Sequence, residues 1–254
     1  MANWLVINYR PTTLFSLRMS HATSSGGKTL LVPTPYAFKL AMVDAAFRYS
    51  DLKHAKQVFN ILCQRSIRFQ PPKRSVVTNT FIKIMRRREL KSKSKDPVVA
   101  AKQIEELTNS PYIQTIAYRE FCFFEGILKV AIHVEGLTRS EVQLLRKAAA
   151  HINYLGKRGS FMQYYGDEVV EHLVGPFTVR MGEPVDNIGQ YYLGQFLDDL
   201  GNTASKDLFE RVNPYSEKRA ELHKHRIFEH HLIPYKQVRS SHRYTEYLRT
   251  DCAT

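Results

Sequence analysis

The chain has 254 residues, 43% of them hydrophobic, and carries a formal charge of +13 with a pI near 9.6. Such a length and composition suit a folded protein with one sizeable core or two small ones and exclude a disordered chain, while a charge excess this large makes nucleic acid the leading partner class. No apolar stretch approaches the roughly 20 residues that cross a bilayer, and Cys63, Cys122 and Cys252 are too widely spaced for a zinc ribbon or a disulfide framework. A cytoplasmic protein with no membrane contact and no cofactor is therefore expected.

The first 30 residues lack acids and faintly resemble a transit peptide, but Trp4 to Ile7 and Leu14 to Met19 read better as core-forming strands. A Ser/Gly-rich loop, Ser20 to Lys28, leads through Pro33-Thr34-Pro35 into a helix over Tyr36 to Tyr49, where Phe38, Met42, Ala45 and Ala46 recur at helical spacing. A second helix over Asp51 to Cys63 opens on an N-cap aspartate, and Pro71-Pro72 precedes an alternating strand, Val77 to Ile84. From Lys73 to Lys95 the chain holds nine Lys/Arg (Lys73, Arg74, Lys83, Arg86, Arg87, Arg88, Lys91, Lys93, Lys95) against the single acid Glu89. Each such cation set against a phosphate releases counterion, which makes binding tight and salt-dependent. A solvated charge run is the alternative reading of this cluster alone.

Asp96-Pro97 opens a short helix, Val98 to Leu107, within a charged insertion. Strands over Ile113 to Phe124 and Ile127 to Glu135 flank Glu125-Gly126, which reads as a tight hairpin turn. Thr138-Arg139-Ser140-Glu141 is a capping-box pattern opening a helix to about His151, and a strand region follows around Tyr154 to Tyr165. The order is that of a split βαβ unit, an α+β ferredoxin-like (RRM-like) domain over residues 1–172 with a thumb-like insertion at about 70–112. The remainder, 173–254, forms a smaller C-terminal β-rich region with strand-like pieces at Phe177 to Met181 and Arg226 to Tyr235 and a helix near Tyr191 to Leu200.

One loop carries a sharper signal. In Gly156-Lys157-Arg158-Gly159 the two glycines let backbone approach a phosphate closely, and the two cations between them add charge at the same point. An ordinary basic turn is the alternative. With Ser25-Gly26-Gly27-Lys28-Thr29, Leu31-Val32-Pro33-Thr34-Pro35-Tyr36, Tyr118-Arg119-Glu120-Phe121 and Tyr154-Leu155-Gly156-Lys157-Arg158-Gly159 in this order, the chain resembles the RAMP superfamily of CRISPR-associated RNA-binding proteins. Within it, the Cas-five backbone subunit of type I Cascade complexes is the best match.

The resemblance implies a subunit that grips the 5′ handle of the guide crRNA with a thumb-like hairpin and contacts both the Cascade large subunit and the Cas-seven backbone subunit. It implies target DNA as a further partner in the assembled complex. The RNA-contacting residues it points to are Arg18, Lys28, Lys73, Arg74, Lys83, Arg86, Arg87, Arg88, Tyr118, Arg119, Gly156, Lys157, Arg158 and Gly159. The helical segment in the insertion and the C-terminal third depart from the family's pattern.

Some members of that family cut pre-crRNA with a Tyr, Lys and His cluster, so a metal-independent endoribonuclease is the main alternative, with Tyr36, His54, Lys102 and His133 as candidates, although His133 lies in an apolar strand and reads better as a structural histidine. An unrelated basic nucleic-acid-binding protein is the third. Other chemistry is weakly signalled. Gly26-Gly27-Lys28-Thr29 ends like a Walker A loop but has Ala22 where the first glycine belongs, and Asp198-Asp199 reads as a helix-surface acidic pair. Five histidines (His223, His225, His230, His231, His242) crowd the C-terminus among Lys and Arg, and His223-x-His225 would share one strand face. A polyanion- or partner-facing surface assisted by Tyr235, Tyr244 and Tyr247 fits that setting better than a metal site, since the positive field opposes a cation, with ordinary strand packing as the alternative reading of the tyrosines.

Overall fold

The computed structural model describes residues 3–22, 26–88, 96–184, 191, 193–202, 205–213 and 216–252; Ser25, Lys91, Lys93 and Lys95 lie outside them. In chain order the elements are β1 (Trp4–Pro11), β2 (Gly26–Gly27), α1 (Pro35–Tyr49), α2 (Leu52–Leu62), β3 (Ile67–Gln70), β4 (Arg74–Arg87), α3 (Pro97–Asn109), β5 (Tyr112–Glu125) and β6 (Leu128–His133). They continue with α4 (Arg139–Ala150), β7 (Met162–Val170), β8 (Val179–Arg180), β9 (Leu193–Leu200), α5 (Ser205–Val212), β10 (Arg226–Ile233), β11 (Tyr235–Ser240) and β12 (Tyr244–Arg249).

Local chemistry explains the helix boundaries. Thr34 caps α1, its side chain accepting from Ala37 N at 3.1 Å with Pro35 in the first turn, and Asp51 caps α2 by accepting from His54 N at 2.8 Å. Thr138 and Glu141 form both halves of a capping box on α4. Each cap satisfies amides that the helix itself cannot.

One sheet has the order β3-β6-β1-β7, with every neighbouring pair antiparallel. Helices α1 and α2 lie between β1 and β3, and α4 between β6 and β7, so this is the ferredoxin-like βαββαβ arrangement and the protein is an α+β fold. Leu5, Ile7 and Tyr9 of β1 point into the main core with Phe38, Met42, Leu145 and Ala148 of the helices. Val6, between them, points to the opposite face and packs with Ala131 and Phe177. Period-two alternation thus buries β1 on both sides.

The insertion is a long antiparallel ribbon. β4 and β5 pair along their whole length, from Arg74 opposite Glu125 to Arg87 opposite Tyr112, with α3 between them in sequence. The Glu125-Gly126 turn is therefore not a hairpin joining β5 to β6. It is a corner where the chain leaves one sheet for another, matched by Pro71-Pro72 on the way in, and a tight turn between two apolar segments reads the same in either case. The second sheet has the order β11-β12-β4-β5-β2, so the last hairpin of the chain is added to the base of the ribbon.

Four further expectations are corrected. Leu14 to Met19 forms isolated bridges, Phe15 to Cys122 and Arg18 to Thr29, instead of a strand. Residues 154–161 form a loop before β7, and the expected strand over Arg226 to Tyr235 is divided at Pro234. The expected helix near Tyr191 to Leu200 is strand β9: Leu193, Leu197 and Leu200 have helical spacing, but pairing with β10 in the sheet β8-β10-β9 overrides it. The Asp198-Asp199 pair consequently sits on opposite strand faces. Asp198 binds Arg226, and Asp199 accepts from the almost fully buried Lys39 Nζ at 2.9 Å.

Candidate nucleic-acid interface

The glycine loop is a closed structure. Tyr154 and Phe161 form its terminal bridge, Leu155 N donates to Ser160 O at 3.2 Å, and Ser160 N donates to Lys157 O at 3.0 Å. Gly156 (φ +81°) and Gly159 (φ +98°) both lie in the left-handed region that side chains disfavour. The loop leans on the segment after β1. Lys157 N donates to Ser16 O at 3.1 Å, Ser16 N to Ser160 Oγ at 3.0 Å, and Thr13 Oγ1 to Gly159 O at 2.5 Å. Since the amides of Leu155, Lys157 and Ser160 serve these internal bonds, the loop presents its charge chiefly through Lys157 and Arg158, both exposed.

The same segment ties the loop to the base of the ribbon. Phe15 pairs with Cys122, Ser16 Oγ donates to Glu120 O at 3.1 Å, and Thr29 N donates to the Glu120 carboxylate at 2.9 Å. β2 lies parallel to Tyr118 and Arg119, and Gly27 is required there because a Cβ would fall 2.8 Å from the Tyr118 carbonyl oxygen. Lys157 Nζ stands 5.8 Å from the Phe121 ring centroid. Arg18 bridges to Thr29 and donates to Ala22 O at 2.8 Å, and Lys28 is exposed beside them. The stretches around Gly27, Tyr118 and Gly156, separated by some ninety residues and then forty, are thus neighbours in space.

Along the ribbon, alternation divides the basic cluster between two faces. Lys83 and Arg87 share a face with Phe81, Met85, Ile116 and Tyr118, whereas Arg86 faces the other way. Phe81 is 74% exposed and stacks edge-on with Tyr118 at 5.4 Å. Lys73, Lys83, Arg86 and Arg87 are exposed. Arg88 is paired with Glu106 of α3 at 3.2 Å, and Arg74 bridges Glu125 and Glu246, which hold its guanidinium pKa above the usual range. Arg74 thereby ties β5 to β12 across β4.

The candidate catalytic residues are not brought together. Tyr36 opens α1 under the Arg226 guanidinium, and burial raises its pKa. His54 is held by Asp51 at 2.8 Å on α2, Lys102 lies on α3, and His133 packs on Trp4 at the end of β6.

The C-terminal histidines are equally scattered. His223 and His225 sit in the turn before β10 instead of on a strand, the first exposed and the second buried, with its Nδ1 accepting from Glu221 N. Among the described residues no group of three or more His, Cys, Asp or Glu could hold a metal ion. Tyr235 is fully buried and donates to Pro72 O at 2.8 Å, a packing role that leaves its ring closed to bases. Cys63 and Cys122 are buried free thiols, and burial pushes that of Cys122 well up. Among the described residues no helix is long and apolar enough to cross a membrane.

Sequence reasoning missed Arg226, Phe196 and Phe228. They lie on paired strands whose register no local pattern reveals.

No protein-family profile matches the chain. It is 22% identical over 222 residues to the CRISPR-associated protein Cas5 of Archaeoglobus fulgidus, covering 85% of this chain and 86% of that protein. The resemblance read from the motifs is thereby borne out over most of the chain. Among solved structures it is similar to a crystal structure of a CRISPR protein from Archaeoglobus fulgidus, at 12% identity and a TM-score of 0.42, covering 97% of this chain and 91% of that one. A chain of a CRISPR RNA-guided surveillance complex is also similar, at 12% identity and a TM-score of 0.39, with 91% of each chain covered. Scores this low add nothing to the fold, which rests on the strand order.

Proposed function

We propose that this chain is the Cas5-type crRNA-binding subunit of a cytoplasmic type I Cascade complex. In this reading it caps the 5′ handle of the guide, bridges the large subunit to the Cas-seven backbone, meets target DNA only in the assembled complex, and does not cut RNA. Residues 1–172 form the ferredoxin-like RAMP domain, and 173–254 form a C-terminal subdomain whose last hairpin joins the base of the ribbon. The observation that carries the reading is the convergence of the glycine loop, Lys28 and Arg119 at the foot of a long basic ribbon. That arrangement offers a strand of phosphates a cationic track with aromatic rings, Phe81 and Tyr118, set beside it. The match to a Cas5 protein over most of both chains supports the same assignment.

The test is direct. The purified chain is mixed with labelled repeat RNA in the absence of metal, and binding and cleavage are followed across a salt series. Salt-sensitive binding to the handle segment with intact RNA is the expected result. Specific cutting would reassign the protein as a processing nuclease, and binding indifferent to the handle would reduce it to a generic basic protein.

A further inference from the structure

The sheet β8-β10-β9 carries an aromatic face that the ribbon and the glycine loop do not use. Alternation sets Arg226, Phe228 and His230 of β10 on one side together with Phe196 and Asp198 of β9, in register: Phe228 opposite Asp198 and His230 opposite Phe196. Phe196 is 40% exposed, its ring centroid 3.9 Å from that of His230 and 5.5 Å from that of His21. Arg226 is fixed in place. Its Nε and Nη2 donate to Asp198 Oδ2 at 2.6 and 2.5 Å, and its guanidinium lies 4.8 Å from the Tyr36 ring centroid and 5.5 Å from that of Phe228.

Two cavities meet at Arg18, Ser20 and Arg226. One, of about 620 Å³, opens between Met19-His21 and the rings of Phe196 and Phe228. The other, of about 400 Å³, runs on past Tyr36 and Tyr154 to Gly156 of the glycine loop. Each is of a size that takes a nucleotide-sized ligand. The acids that line the second cavity are already bound to arginine: Asp198 to Arg226, and Asp44 to Arg48 at 2.9 Å. No acid lines the first. The groove thus combines positive charge with the exposed ring of Phe196 and the half-buried ring of Phe228 beside it, the chemistry that receives unpaired nucleotides.

We propose that this groove is a second RNA subsite, in which one unpaired base of the bound strand stacks against Phe196 and Phe228 while its backbone passes Arg18 toward the glycine loop. The inference rests on the RNA-binding reading above and adds the C-terminal sheet to the path of the strand. Its occupant is RNA because the cavity is concave, cationic and continuous with the loop that presents Lys157 and Arg158.

The test uses the full chain, labelled repeat RNA and a matching series of single abasic substitutions. Phe196→Leu keeps apolar bulk and removes the ring; Phe196→Tyr keeps the ring. Loss of one stacked base corresponds to roughly a five- to hundredfold fall in affinity. Phe196→Leu is expected to show that fall with an unchanged salt slope and melting temperature, and Phe196→Tyr to bind as the parent does. One abasic position should weaken binding by the parent chain and have no further effect on Phe196→Leu.

Parent-like affinity of Phe196→Leu, or equal losses in both variants, would overturn the subsite while leaving RNA binding by the loop and ribbon intact. Parent-like RNA affinity with loss of assembly onto backbone subunits would assign the groove to a protein and overturn it likewise. If the parent chain binds no RNA, the functional reading falls first and the subsite with it.

Discussion

Replacing each loop glycine in turn by alanine separates conformational strain from crowding. At Gly156 an added Cβ would lie 3.2 Å from Leu17 Cβ, from Phe15 Cε2 and from the Ser16 carbonyl oxygen, and that oxygen already accepts the Lys157 amide at 3.1 Å. At Gly159 the Cβ would meet nothing within 4 Å. Both positions have positive φ, so both substitutions carry a left-handed strain of about 1–2 kcal/mol. Only Gly156→Ala adds overpacking, typically about 1–3 kcal/mol, because its neighbours are a buried ring and backbone that cannot yield freely. The expected losses of stability are therefore about 1–2 kcal/mol for Gly159→Ala and about 2–5 kcal/mol for Gly156→Ala. In a chain of this size about 1 kcal/mol moves Tm by roughly 2–4 °C, so a melting series resolves the two. Urea unfolding with an unchanged m-value would show that the native state itself is affected. Equal losses for the two variants, or a Gly156→Ala protein as stable as its parent, would refute the packing argument and the loop's attachment to the Phe15 segment.

Other perturbations read different parts of the molecule. Reversing Arg86 and Arg87 to Glu, while leaving Arg88 with Glu106, should weaken RNA binding and flatten the plot of log K against log salt by roughly 1.4 if both cations meet a single-stranded backbone; an unchanged slope would remove the ribbon tip from the interface. Asp199→Asn strands the buried Lys39 charge and should cost about 3–5 kcal/mol in urea unfolding. His231 is 6% exposed and faces Arg180, Arg68 and Glu229, and burial lowers its pKa from 6.5 to about 4. The unfolded chain then binds a proton that the folded chain refuses between those values, so stability falls by up to about 3 kcal/mol as pH drops through that window. His231→Gln should remove that part of the acid loss, and a parent-like pH profile in the variant would count against it.

What could be read in the sequence followed how local its cause was. Thr34, Asp51 and the Thr138/Glu141 box act within one helical turn, and the helices they start stand where spacing placed them. The strand order followed because βαββαβ succession admits few antiparallel sheets once connections are kept short and right-handed. Strand β9 failed for the opposite reason. Its leucines satisfy helical spacing, and only the partner strand β10, some thirty residues later, makes it extended. The same dependence hid the Phe196, Phe228 and Arg226 face, whose members are unremarkable until register aligns them. The glycine loop was legible because its two glycines and two cations are adjacent in sequence, but its backing by Thr13 and Ser16 was not.

The pairing of β12 with β4 explains why a 14-residue ribbon can stand away from the core. From Arg74 to Thr78 the ribbon is reinforced by β12, with Tyr235 donating to Pro72 O and the Arg249 guanidinium donating to Pro71 O at 2.9 Å. Beyond Asn79, among the described residues, neither β4 nor β5 has another sheet neighbour apart from the short contact of β2 with β5, and a two-stranded ribbon is only marginally stable in water. Phe81, Ile116 and Met85, at 74%, 72% and 63% exposed, lie on that outer part. Their apolar surface gains nothing while it faces solvent, so covering it supplies a driving force of roughly 25 cal/mol per Å² that the isolated chain lacks. A firm base and an uncovered, basic outer ribbon together suit a device whose final order comes from what it grips. Amide exchange measured without and with bound RNA tests this: protection along β4 beyond Asn79 should rise on binding while protection at Arg74 to Thr78 stays as it was, and uniform protection in the free chain would contradict it.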